Sequence, residues 1–486
     1  MRRLAAAATC VLALIVHAGD ARAHPGDDAL AAYRTYKTAP SQRQREQAQF
    51  ELGVSLRALK LYQSAYGIFS EIADHPEHVA FKPTLRELTR LAANLPSAAD
   101  VEERVGKYDD VAVEALRASD PEEYTRAQFL RGRFAYGNRR FDEAIRLFNQ
   151  VEPRAVYYPR AQFYTGLAHI QMRRPSPAVR AFKRVVTAVP DEAIEDGDRV
   201  RDLALLSIAR TYYSAGEARV AIDYYRHVDT TSEYWSDVML EQGWAYFAAG
   251  DHARALGNVH MRDDLLDVDP ESDILRSFIY LANCQWDDAA STAARVHVSY
   301  RPLRTEVGKI AFDDDAAFYQ FARAVRDGKS TLSGLRRRFV ENALSDREFL
   351  RHLQYVAVIE DELRRFSRAP ASFRESALGG DVKDGLVLAR DIATKNAGSL
   401  ARERLARAIG ELDERLRDDA DLLAAAFAAK NGKLDLRTVP WRISPKASEK
   451  NVVTGDEEHV IWPWTGEIWA DEAGSYRQSI QSKCSR

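Results

Sequence analysis

Apolar side chains recur at three- and four-residue intervals through most of this chain, the spacing that gives an α-helix one buried face. Leu52 and Leu56 belong to one such run, and Ala65, Phe69 and Ile72 to the next. Leu85, Leu88, Leu91 and Leu95 form a further stripe. The runs come in pairs, and an alanine marks the same place in the second run of each pair: Ala65, Ala144, Ala178, Ala221, Ala255 and Ala289. Three intervals, Ala144 to Ala178, Ala221 to Ala255 and Ala255 to Ala289, span 34 residues each. Twelve residues before each marker lies the small-residue site of the first run, as at Gly53, Gly132, Gly166, Ala209 and Gly243. Small residues at both places let two helices of a hairpin press together.

A 34-residue helix–turn–helix period is the length of one tetratricopeptide unit, and the chain resembles that repeat class. The expected fold is all-α: a tetratricopeptide-type α-solenoid over residues 45–297, preceded by a short polar lead at 24–44. Residues 298–430 keep helical patterning without the 34-residue phase and read as a helical extension. Leu405, Ile409, Leu412 and Leu416 alternate four and three within it, as in a short coiled-coil seam or a long helix lying on the solenoid. Gly379-Gly380-Asp381 and Lys430-Asn431-Gly432-Lys433 are the expected breaks. Residues 431–486 form a tail holding Trp441, Trp462, Trp464 and Trp469, with Tyr476 beyond them. So much aromatic surface favours packing back over water. A docking segment for another protein is the alternative.

The amino terminus has a different pattern. Arg2 and Arg3 precede the apolar run Leu4 to Ala18, and Ala21-Arg22-Ala23 follows, the layout of a cleavable secretory signal over residues 1–23. The expected product is periplasmic, with no transmembrane segment after cleavage. The full chain of 486 residues has a formal net charge of −3, and removal of 1–23 leaves 66 basic and 71 acidic residues. Such a balance does not read as a nucleic-acid binder or a polybasic membrane binder. Cleavage also leaves two cysteines, Cys284 and Cys484. An oxidising compartment makes a disulfide between them the expectation, worth about 4–5 kcal/mol in a chain-entropy treatment. Two free thiols are the alternative.

Candidate chemistry is sparse. His75 and His78 stand three apart in a turn without further ligands nearby, and read as a solvated turn. Asp313-Asp314-Asp315 lacks the glycine and terminal glutamate of a calcium loop and reads as an acidic cap on the following helix. Glu375-Ser376 has the order found in lytic transglycosylases that carry a helical superhelix, but Asp381-Val382 follows the glycines and the matching motif does not appear. The reading is a non-enzyme with no cofactor, no metal and no small-molecule substrate. Its partner is a protein, with no nucleic acid.

If the first helix of each unit lines the concave face, the groove positions fall at Phe129, Arg133 and Tyr136, then Phe163, Leu167 and Ile170. Leu206, Arg210 and Tyr213 follow, and last come Leu240, Trp244 and Phe247. Aromatics interleaved with arginines suit an extended or helical peptide with apolar and acidic side chains. The alternatives are that these residues pack between repeats or lie under the tail.

Glu241-Gln242-Gly243-Trp244-Ala245-Tyr246, Gly250-Asp251, Pro270-Glu271-Ser272, Asn283-Cys284 and Trp462-Pro463-Trp464 together resemble exported tetratricopeptide proteins of myxobacteria and related Gram-negative bacteria. Some of these belong to adventurous gliding motility. The resemblance covers residues 230–486 well, and the amino-terminal half only as generic repeats. Trp464 stands where that pattern has phenylalanine. It implies a periplasmic, non-enzymatic scaffold for an envelope machine. A division or outer-membrane assembly adaptor is the runner-up, and a peptidoglycan hydrolase is the rival of another class.

Overall fold

The computed structural model describes residues 25–96, 100–188, 197–265, 269–312, 314–432 and 476–484. All regular elements among them are helices. The signal-like segment 1–23 and Trp441, Trp462, Trp464 and Trp469 lie outside the described residues. Helix α1 (Pro25–Thr38) precedes the hairpin α2 (Gln42–Ala58) and α3 (Tyr62–Ala73). The expected polar lead is therefore a helix: Ala29 and Ala32 are buried in the first core cluster, which pulls that segment onto the hairpin. Then come α4 (Phe81–Ala92), α5 (Val101–Gly106) and α6 (Asp110–Ser119), three short helices that break the repeat phase. Five regular hairpins follow. They pair α7 (Pro121–Gly137) with α8 (Phe141–Phe148), α9 (Tyr158–Gln171) with α10 (Pro175–Thr187), and α11 (Gly197–Ser214) with α12 (Ala218–Tyr225). The last two pair α13 (Trp235–Ala248) with α14 (His252–Leu265), and α15 (Pro270–Ala282) with α16 (Trp286–Val307).

Each hairpin is held by the small residues the sequence repeats. All six marker alanines are at most 1% exposed. Gly132 faces the ring of Phe148, and Gly166 the ring of Phe182, so closely that an added Cβ would overlap the aromatic carbons. Gly53 makes the same approach to Phe69, where a Cβ would lie 2.6 Å from the ring. These phenylalanines are fully buried, and each contributes roughly 1.5–3 kcal/mol by leaving water.

The turns repeat too. Lys60, Arg139, Arg173, Gly216, Gly250 and Cys284 each stand two residues past the end of a first helix with φ between 56° and 83°. In every case the next amide reaches back to a carbonyl in the last turn, as Gln285 N does to Tyr280 O at 2.9 Å and Asp251 N to Tyr246 O at 2.9 Å. This is the Schellman ending, which satisfies helix carbonyls that otherwise lack donors.

The extension comprises α17 (Asp315–Arg326), α18 (Gly334–Ala343), α19 (Arg347–Arg368), α20 (Ala371–Arg374) and α21 (Ala377–Lys430). Helix α16 runs through residue 297, so the expected boundary there falls inside a helix. At 54 residues, α21 is about 80 Å long. The expected break at Gly379-Gly380-Asp381 is its first turn instead. The interruption lies just before, where Ser376 caps the helix by accepting the Gly379 amide at 3.0 Å. Leu378, Val382 and Leu386 join the core cluster of α1 to α7. At the other end, Leu422 and Ala426 pack with Ile274, Leu281 and Ala289. One helix thus ties the first hairpins to the last. Between those ends, Leu405 and Leu412 are buried against α16 to α18, with Ile409 and Leu416 beside them.

Near the carboxyl end, residues 476–484 form a strip without regular secondary structure. Gln478 N donates to Ala253 O at 2.9 Å, and Lys483 N to Asn283 O at 2.8 Å. Ile480 is buried with Leu256, Val259 and Ile279. Gly257 lets the backbone at Tyr476 lie against α14, since a Cβ there would meet the Tyr476 carbonyl. Cys484 is bonded to Cys284, closing the expected disulfide.

Candidate partner-binding groove

The groove positions on the first helices divide into three groups. The first is buried between repeats. Phe129 is only 4% exposed, stacked on Tyr157 with ring centroids 5.1 Å apart and edge-on to Tyr164 at 6.1 Å. Leu206 and Leu240 are buried as well. These three are removed from the accessible groove, because the following hairpin brings apolar side chains over them. Trp244 and Phe247 are partly buried, and both meet Phe278 of α15, at 5.6 and 6.4 Å. Tyr136 lies edge-on to Phe141 and to Tyr164. The alternative reading, packing between repeats, describes these aromatics.

The second group is the two arginines, and both have carboxylate partners. Arg133 pairs with Glu102 at 2.9 Å and lies over the ring of Tyr164. Arg210 grips Glu241 with two nitrogens, Nε to Oε2 at 2.9 Å and Nη2 to Oε1 at 2.6 Å. The Tyr225 hydroxyl donates to the same carboxylate at 2.9 Å. A fork-to-carboxylate pair of this kind is satisfied in both charge and hydrogen bonding. The expectation of free cations for acidic ligand side chains is corrected on both residues.

The third group stays open. Phe163 and Leu167 on α9 are half-buried, while Ile170 on α9 and Tyr213 on α11 are 39% and 37% exposed. Burial of part of the ring pushes the Tyr213 hydroxyl above its ordinary pKa, so it remains a neutral donor. The accessible site is therefore a short apolar stripe with one hydroxyl across α9 and α11. Of the tail positions, Tyr476 is described and lies against α14.

The residues weighed for chemistry take structural roles. His78 is buried rather than solvated: its Nδ1 accepts the Ala80 amide at 3.0 Å, and burial lowers its pKa. His75 stays at the surface beside Glu77. Asp314 caps α17 by accepting the Ala317 amide at 2.7 Å. Ser376 is the cap of α21 described above, and Glu375 beside it is exposed. Among the described residues no group of three or more His, Cys, Asp or Glu side chains is arranged to hold a metal ion. No helix among them is long and apolar enough to cross a membrane.

Two buried carboxylates have no counterpart in the sequence reading. Glu362 of α19 is fully buried over the start of α3, and burial pushes it up to about 7. Asp419 of α21 is fully buried beside His297 of α16, with Nε2 to Oδ2 at 3.4 Å, and burial again pushes it to about 7. Nothing in their local sequence marks them, because their burial depends on helices far away in the chain.

With paired hairpins, repeated Schellman turns and an accessible apolar stripe on α9 and α11, the chain is an all-α, tetratricopeptide-like solenoid. No family model and no curated protein sequence matches it. Among solved structures it is similar to a tetratricopeptide repeat protein from Parabacteroides merdae, at 13% identity over 56% of this chain and 91% of that one, with a TM-score of 0.29. It is also similar to the structure of Naa15/Naa10 bound to HypK-THB, at 18% identity and a TM-score of 0.30. That match covers 84% of this chain and 65% of the other, just under two thirds of its length.

Proposed function

We propose that this chain is a non-enzymatic scaffold, exported to the periplasm, that holds a protein partner on the α9–α11 stripe during assembly of an envelope machine such as that of gliding motility. The observation that carries this reading is the pair Ile170 and Tyr213, exposed on the first helices of adjacent hairpins and flanked by half-buried Phe163 and Leu167. Anchors of this type gain most of their binding energy by leaving water in a rigid setting. The bonded pair Cys284–Cys484 supports an oxidising compartment. Because Arg133 and Arg210 are already matched by Glu102 and Glu241, the segment recognised is apolar rather than acidic. Its length is set by two hairpins, so a short helix or strand with two or three apolar anchors suffices.

Photocrosslinkers placed at Ile170 and Tyr213 in intact cells test this. A discrete crosslinked protein at both positions is the expected result. Crosslinks to this chain alone would overturn the reading, and release of muropeptides from purified peptidoglycan would overturn its non-enzymatic part.

A further inference from the structure

The chain as a whole is nearly neutral, yet one hairpin is not. From residue 153 through 190 there is no aspartate or glutamate, while Arg154, Arg160, Arg173, Arg174, Arg180, Lys183 and Arg184 all fall in that span. These residues build α9, α10 and the loop before them. On α10, Ala178, Ala181, Phe182 and Val185 are buried, so Arg180, Lys183 and Arg184 share the exposed side, with Arg173 at the turn leading into it.

On α10 and the turn before it, the described residues supply carboxylates sparingly. Arg174 pairs with Asp142 at 3.2 Å. Arg184 donates instead to the uncharged Gln162 at 3.1 Å, and Lys183 sits over the ring of Tyr224. Arg173 and Arg180 have no carboxylate partner among the described residues. The field of the cluster is felt at His169, whose pKa falls through burial first and then through Arg174, Arg180 and Arg184.

We propose that this outer face of the α9–α10 hairpin docks an acidic segment of a partner protein, laid along α10. The face belongs to the second helix of its hairpin, so the proposal is independent of the apolar stripe on the first helices. Its dimensions decide the kind of partner. Helix α10 has 13 residues, which makes it about 20 Å long, the span of roughly six extended residues. It is also one helix wide: α8 presents Asp142 and α12 presents Asp223 on either side, both exposed. A flat anionic membrane would press its phosphates against those two carboxylates, whereas a narrow peptide passes between them. Arginine forks match carboxylates two bonds at a time, and long-range attraction speeds the encounter.

The test uses the full chain and a fluorescein-labelled decapeptide containing six glutamates, with the glutamine version as control, followed by anisotropy at 50 and 300 mM salt. The glutamate peptide is expected to bind at low salt and to weaken at least tenfold at high salt, with no binding of the glutamine peptide. The triple variant Arg180→Glu, Lys183→Glu, Arg184→Glu is expected to lose at least tenfold in affinity while keeping the wild-type melting temperature. A control variant, Lys309→Glu with Lys329→Glu, is expected to bind as wild type. Equal binding by the triple variant, or no binding at 50 mM salt, would overturn the proposal. So would retention on phosphatidylglycerol vesicles that exceeds peptide binding and is lost in the triple variant, which would make the surface a membrane contact.

Discussion

The carboxylate of Glu362 in α19 sits on the open start of α3, accepting the Gln63 amide at 2.6 Å. Helix α3 has no side-chain cap of its own, since Leu61 occupies that position. The cap comes instead from a residue 299 positions later in the chain. Tyr355 donates to Gln63 at 2.8 Å and Arg365 to the Lys60 carbonyl at 2.6 Å, so α19 satisfies both the turn and the helix start. This contact and α21 tie the helical extension to the first hairpin.

Glu362 makes that contact sensitive to pH. Burial raises its pKa, and the amides of Gln63, Ser64 and Tyr62 only partly offset this, leaving it at about 7. The unfolded chain ionises near 4.5, so between those values the folded state holds the extra proton. Stability is therefore full below about pH 4.5 and falls as pH rises through 7, by roughly 3 kcal/mol. Glu362→Gln is expected to flatten the stability profile between pH 5 and 8. Glu362→Ala is expected to destabilise at every pH, by about 1–3 kcal/mol, because the amides lose their acceptor. Urea titrations at the two pH values check both; a Gln variant with an unchanged slope would assign the slope elsewhere.

Asp419 is the second source of such a slope, and it differs in kind. Among the described residues neither of its carboxylate oxygens has a hydrogen-bond partner, His297 Nε2 approaching Oδ2 only to 3.4 Å. Burial is the main cause of its rise to about 7, with the charge of Asp273 adding to it. Nearby His297 is itself shifted down by burial and by Arg301. Both groups are thus favoured as neutral, but their signs differ: the raised pKa of Asp419 acts like that of Glu362, its stability being lost as pH rises through 7, whereas the lowered pKa of His297 costs stability as pH falls. Asp419→Asn is expected to raise the melting temperature at pH 8 and to leave it nearly unchanged at pH 5. Differential scanning calorimetry at both pH values measures the contrast. A fall in melting temperature at pH 8 would mean that the carboxylate is bound by a partner in solution.

The small residues of the hairpins give a contrast of opposite sign. Gly166→Ala places a methyl group into the ring of Phe182, which is fully buried and has no space to yield. A loss of about 1–3 kcal/mol is expected from the overpacking. Gly67→Ala lies on α3 with nothing within 4 Å of the added carbon, and the helix gains about 1 kcal/mol. Chemical denaturation of the two single variants separates a packing role from a helix-propensity role at residues of the same type.

What the sequence made legible follows from how local each signal is. The marker alanines and Gly53, Gly132 and Gly166 read correctly because a hairpin's crossing point depends on residues twelve apart. The Cys284–Cys484 bond was readable because two cysteines allow one internal pairing. The extension's route was not, since Glu362, Asp419 and Leu422 acquire meaning only when helices hundreds of residues apart meet. Helical register places Phe129, Trp244 and Phe247 on a groove face but does not locate the side chains of the next hairpin that cover them. The same holds for Arg133 and Arg210, whose partners Glu102 and Glu241 stand in neighbouring helices outside any local pattern.

Cys284 occupies a place where the preceding two hairpins use Gly216 and Gly250, and it holds the same left-handed backbone, with φ of 56°. A residue with a Cβ costs about 1 kcal/mol or more in that conformation. The bond to Cys484 offsets this: a crosslink spanning 200 residues contributes up to about 5 kcal/mol by the chain-entropy treatment. Two substitutions separate the terms. Cys484→Ser is expected to lower stability under oxidising conditions and to make the strip 476–484 accessible to protease, with little effect once reductant is present. Cys284→Gly in reductant is expected to be more stable than the reduced wild type by about 1 kcal/mol, since glycine restores the unstrained turn. Denaturation curves with and without dithiothreitol give both differences. If Cys284→Gly were destabilising in reductant, the thiol would be making a packing contribution larger than the backbone strain, and the turn would not be the reason glycine precedes it in the series.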